Sequence, residues 1–143
     1  MLRSAVKTDD LLKLLENTDD IASRWQELRE DMKAPSFSEY LSELINERGI
    51  DAAKFGVKTL ISRSFAYQIL SGTRVPSREI ILRISVALGC SVDETQRLLL
   101  LADRGALYPK VERDAAIIYC LSNGSDLYQT DEFLGELKLK KLL

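Results

Sequence analysis

Between Ser62 and Gly89 the chain twice writes a helix start followed by a helix stop. Ser62 precedes Arg63 to Leu70, and Gly72 follows. Pro76-Ser77 opens a run carrying Ile80, Ile81, Ile84, Ala87 and Leu88, and Gly89 closes it. A serine hydroxyl accepts from an otherwise orphaned amide at a helix start, and glycine takes the left-handed conformation that ends a helix. Such punctuation confines the backbone to short helices joined by tight turns. Strand signals are weak in comparison. No sustained alternation of period two occurs, and Asn123-Gly124 follows a helical pattern, so it reads as a stop rather than a hairpin.

The same grammar extends along the chain. Thr8 is expected to cap a first helix, with Asp9 and Asp10 at its positive end and Leu11, Leu12, Leu14 and Leu15 as its apolar face. A second helix is expected from about Asp19 to Met32. There Ile21, Trp25, Leu28 and Met32 form one stripe, buried either on the same chain or against a partner. Ala34-Pro35-Ser36 opens a helix with Phe37, Tyr40, Leu41, Leu44 and Ile45 on one face, ended by Gly49. Asp51 to Lys58 reads as a short helix and Thr59-Leu60-Ile61 as a turn. Ser91-Val92-Asp93-Glu94 fits a capping box. After Tyr108-Pro109, residues 110–122 form a helix with Ala116, Ile117, Cys120 and Leu121 inward. Ser125-Asp126 caps a last helix to about Leu137, and the leucines of the tail, Lys138 to Leu143, dock. The fold class is all-α, with seven or eight short helices. Three stretches are expected: an N-terminal helical arm over 1–34, a core over 35–103, and a C-terminal helical extension over 104–143 packed on that core.

Composition removes whole classes of chemistry. At 143 residues, 45% apolar and 29% charged, the chain is long enough to bury a core without staples. No apolar run approaches the ~18–20 residues that span a bilayer, and the first ten residues lack a signal-like apolar core. The expectation is a soluble cytoplasmic protein with no membrane partner. There is no histidine, which removes histidine-based triads and histidine metal sites. Cys90 and Cys120 form no CxxC pair and read as buried free thiols. Gly56-Val57-Lys58-Thr59 lacks the spacing and strand context of a phosphate-binding loop. Asp19/Asp20 and Asp131/Glu132 suit helix starts, and Arg113-Asp114 beside Tyr108 suits a packing pair. No catalytic set, metal site or cofactor motif is assembled, so an enzyme is not expected.

The net charge of −2 conceals an asymmetry. Residues 51–86 carry Lys54, Lys58, Arg63, Arg74, Arg78 and Arg83 against Asp51 and Glu79, whereas the segments on both sides are net acidic. A local basic patch is the footprint of phosphate binding. Within it, residues 52–72 form a helix-turn-helix candidate, whose second helix would lie in a DNA major groove. A period of 3.6 turns Ala66 and Ile69 inward and Arg63, Ser64, Tyr67 and Gln68 outward, with Phe65 at the margin. Arginine bridges guanine and glutamine bridges adenine, so these four are the candidate base-contacting residues. Lys58, Ser62, Thr73, Arg74, Ser77 and Arg78 are the candidate phosphate-contacting residues, several of them at or near helix starts.

The run from Ile61 to Arg78, with Ala87-Leu88-Gly89 beyond it, resembles the recognition helix, basic loop and following helix of XRE/Cro-type helix-turn-helix proteins. These are the phage lambda repressor-like DNA-binding domains, and the resemblance covers about residues 36–101. Leu107-Tyr108-Pro109-Lys110 and Arg113-Asp114-Ala115-Ala116-Ile117-Ile118 resemble a narrower group of such proteins from Gram-positive bacteria. The resemblance implies a lambda repressor-like bundle and a DNA-binding, repressor-like transcriptional regulator. Arg63, Ser64, Tyr67 and Gln68 match its base-facing positions, and Ser62, Arg74, Ser77 and Arg78 its backbone-facing ones. Members often carry a glutamine near the start of the first motif helix that helps hold a phosphate. Asp51-Ala52-Ala53-Lys54 stands there in this chain.

Two functions are therefore expected in order. The first is a sequence-specific DNA-binding regulator with double-stranded DNA and a second copy of itself as partners. Its dimer surface would come from the N-terminal helices or from residues 110–143. The second is a protein-interaction module that keeps the fold without DNA, using the acidic flanks and the stripe of Ile21, Trp25, Leu28 and Met32.

Overall fold

A computed structural model describes residues 8–17 and 19–143. The expectations for the first seven residues lie outside these. The described residues are helical, without strands, and divide into two compact units, Met1–Ala34 and Pro35–Leu143.

In the first unit, α1 spans Thr8–Asn17. Thr8 lies within it rather than capping it. None of its residues is buried, and Leu12 and Leu15 are exposed. The continuous helix expected over 19–32 is broken into a 3₁₀ turn at Ala22–Arg24, the short α2 at Trp25–Arg29 and a second 3₁₀ turn at Glu30–Met32. The reason lies in its ends. No side chain caps any of the three pieces, and Glu30 and Asp31 stand at the negative end of α2. Of the expected stripe, Leu28 is fully buried, Ile21 and Met32 are half-buried, and Trp25 is exposed. Leu28 therefore cannot face a partner, which corrects its place in the expected interface.

The second unit holds α3 (Phe37–Glu47), α4 (Ala52–Thr59), α5 (Arg63–Ser71), α6 (Arg78–Leu88), α7 (Val92–Leu101), α8 (Glu112–Ser122) and α9 (Leu127–Glu136). The expected caps form. Ser36, Ser62 and Ser77 each accept from the amide three residues on. Ser91 with Glu94, and Asp126 with Gln129, form reciprocal boxes. Gly72 ends α5 at φ 82°, where a side chain would also meet Ser38 Oγ at 2.9 Å. Among the described residues α6 is the central element, in contact with α4, α7, α8 and α9. Its Ile81, Leu82 and Ile84 are fully buried, joined by Leu41 of α3, Phe55 of α4, Ile69 of α5, Leu98 and Leu99 of α7, Ile117 of α8 and Leu134 of α9. Burying a leucine or isoleucine contributes roughly 1.5–3 kcal/mol, so this cluster dominates the unit's stability.

Polar ties fix the helix ends to one another. Arg48, following α3, donates to the carbonyls of Leu44 and Leu88 and pairs with Glu94 at 2.9 Å. Burial alone would raise the Glu94 carboxyl. The Ser91 amide and Arg48 outweigh burial and hold it below its usual range. The tail docks through part of its leucines: Asp131 accepts from the amides of Leu142 and Leu143, Leu142 is buried and Leu139 half-buried, but Leu143 stays exposed. Both cysteines are free and buried, and burial pushes the Cys90 thiol up to about 12. Among the described residues no helix is long and apolar enough to cross a membrane.

Candidate nucleic-acid interface

Two short helices and a three-residue turn build the site. Asp51 caps α4, its carboxylate accepting from the Lys54 amide at 2.8 Å. Thr59, fully buried, closes the other end by donating to the Phe55 carbonyl at 2.7 Å. Leu60 then takes the left-handed conformation, φ 56°, and the Ile61 amide returns to the Gly56 carbonyl. A non-glycine residue is strained there, and Arg83 helps to hold it by donating to the Leu60 carbonyl at 3.2 Å. Ser62 then starts α5, accepting from the Phe65 amide.

α5 is anchored as its periodicity requires. Ala66 and Ile69 are buried, and Phe65 is half-buried. Arg63, Ser64 and Tyr67 are exposed, Tyr67 by 70%, while Gln68 is half-buried. These four line one groove together with Thr73 and with Asp51, Ala52 and Ala53 from the start of α4. The contribution of α4 is the part that sequence reading missed. It follows from the turn, which sets the start of α4 beside the outward face of α5.

The candidate phosphate-contacting residues do not stay together. Ser62, Arg74 and Ser77 share a depression beside α5. The Arg74 guanidinium stacks on the Phe65 ring at 4.8 Å, which orients a long side chain that would otherwise be free to rotate. Thr73 falls instead in the groove, its hydroxyl bonded to Ser71 at 2.8 Å.

One expectation is corrected. Arg78 is partly exposed, but its guanidinium is engaged within the protein. It holds both oxygens of Asp114 at 2.8 and 3.2 Å and donates to the carbonyls of Gly105 and Ala106. Asp114 is itself 5% exposed, and it also accepts from the Tyr108 amide. A guanidinium so engaged has no fork left for a phosphate. Lys58 is exposed at the far end of α4, outside the groove, and lines a depression with Val57, Leu60 and the start of α9.

Residues 41–94, from within α3 to the start of α7, match the family model described as Helix-turn-helix. No curated protein and no solved structure matches the chain. Over residues 41–94 the chain thus matches a helix-turn-helix family model of the XRE/lambda repressor-like kind, a family of DNA-binding regulators.

Proposed function

We propose that this chain is a sequence-specific transcriptional regulator, repressor-like in kind, that lays α5 in the major groove of double-stranded DNA. The observation that carries the reading is the sidedness of α5. Ala66 and Ile69 fasten it to the core while Arg63, Ser64 and Tyr67 remain exposed along one groove. A helix is about 10–12 Å across with its side chains, which suits a groove about 12 Å wide, and the nine residues of α5 run about 14 Å along it.

The chemistry of each side chain sets its role. Arg63 stands in the first turn of α5, the end that meets base edges, and its fork matches guanine O6 and N7. Gln68 carries the donor and acceptor that adenine requires. Tyr67 offers a ring face to a thymine methyl, and Ser64 a hydroxyl to either base. Ser62, Thr73, Arg74 and Ser77 take the phosphates, fixing register without reading sequence.

A single motif of this size binds weakly, so the functional state is a two-fold dimer on a palindromic site. Two surfaces compete for the dimer or for a protein partner. One is Trp25 with the half-buried Ile21 and Met32. The other is the exposed Tyr119 and Tyr128 of α8 and α9.

The roles separate experimentally. On a duplex selected by the protein, Arg63→Ala should relax the preference at one base pair, a discrimination of roughly 1–3 kcal/mol. Arg74→Ala should weaken binding to selected and scrambled duplexes alike and flatten the salt dependence by about one ion. Fluorescence anisotropy titrations read both. Equal loss of specificity from the two variants would overturn the assignment.

A further inference from the structure

Asp51 shares the groove with Arg63, Ser64, Tyr67 and Gln68, and it is the one acidic side chain lining it. Its Oδ1 accepts from the Lys54 amide, and the residue is exposed, with no ion pair among the described residues. Capping α4 does not demand this charge, because serine, asparagine and aspartate cap about equally well. Ser36, Ser62, Ser77 and Ser91 cap four other helices of the same unit with a neutral hydroxyl. The carboxylate is therefore surplus to the fold at the place where the groove meets its ligand.

We infer that Asp51 is an electrostatic brake on DNA affinity. The inference rests on the DNA reading above. In the docking that places α5 in the major groove, α4 crosses the phosphate backbone, with its start toward the duplex. A fixed negative charge there opposes the phosphates. The negative side chain also answers the positive end of α4, which would otherwise attract one of them. Repulsion of this kind acts on the backbone, so it lowers affinity for every duplex alike and leaves base preference untouched.

The test is Asp51→Asn in the full chain, with Asp51→Ser as a second capping variant and thermal unfolding as a check that both fold. Affinity is measured by anisotropy on a selected duplex and on a scrambled one, at about 50 and about 200 mM salt. The expected result is a gain of about three- to tenfold on both duplexes at the lower salt, shrinking at the higher, with their ratio unchanged. Binding by the variants where the parent protein shows none would support the brake equally. Unchanged affinity in variants of a protein that itself binds DNA would overturn the inference and leave the DNA reading standing. A loss of preference at one C·G pair would also overturn it, since a carboxylate that accepts from cytosine N4 reads sequence instead. No salt-sensitive binding by parent or variants would overturn the DNA reading, and this inference with it.

Discussion

Arg78 has two possible partners in principle, a DNA phosphate outside the protein or a carboxylate within it, and the structure gives it the second. Its bidentate pairing with the buried Asp114 ties the start of α6 to α8. Removing the arginine leaves a nearly buried carboxylate short of its cation, so Arg78→Ala should lower stability by roughly 2–4 kcal/mol. Urea unfolding measures this. The dependence of DNA affinity on salt, read below the melting temperature, should stay as it was. A flattened salt dependence with unchanged stability would return Arg78 to the phosphates. The sequence could not show this partner, because Asp114 lies 36 positions away and only the fold brings the two together. Outward positions within α5 were legible for the opposite reason. Ala66 and Ile69 fix the helix face locally, and a period of 3.6 then places Arg63, Ser64, Tyr67 and Gln68 without knowledge of any other element.

Helix boundaries were readable wherever a side chain makes them. Ser62, Ser77 and Ser91 start α5, α6 and α7 as their positions imply, and Gly72 and Gly89 end α5 and α6. Residues 19–32 lack such side chains. Their apolar stripe has helical spacing, yet without caps the backbone breaks into pieces of three and five residues. The left-handed Leu60 was also illegible, because a bulky residue in that conformation is stabilised by contacts that the local sequence does not state. Contacts between elements carry a pH dependence as well. Glu94 joins the cap of α7 to Arg48 after α3, and its carboxyl titrates below its usual range in the folded chain. A depressed carboxyl stabilises the fold above its unfolded pKa, and that stability is lost as pH falls through the folded value. Stability should therefore decline below about pH 4.5, and Glu94→Gln should remove part of the decline. Unfolding curves at pH 7 and at about pH 3.5 compare the two proteins. Identical slopes would show that Glu94 has no share in it.

For the whole molecule, the basic middle of the sequence is smaller than its composition suggests. Arg78 is paired with Asp114, and Arg83 donates to the carbonyls of Leu60 and Leu142. In the proposed docking the exposed Lys54, Lys58 and Arg74 remain for the phosphates while Arg63 reads a base, and Asp51 opposes them. About three phosphate neutralisations per chain correspond to a logarithmic salt slope of about −2.7, and a dimer doubles it to about −5.4. That figure is modest for a regulator, so contacts of α5 with the bases must supply a larger share of the affinity as well as the specificity.

The direct measurement is selection of the purified full chain on random double-stranded DNA at two salt concentrations, followed by sequencing. We expect an enriched palindrome whose half-sites lie about one helical turn apart, with a guanine in each half-site lost in Arg63→Ala, and a slope near −5. No enriched sequence and no salt-sensitive retention at the lower salt would contradict the account, and would leave the helix-turn-helix as a scaffold for another protein.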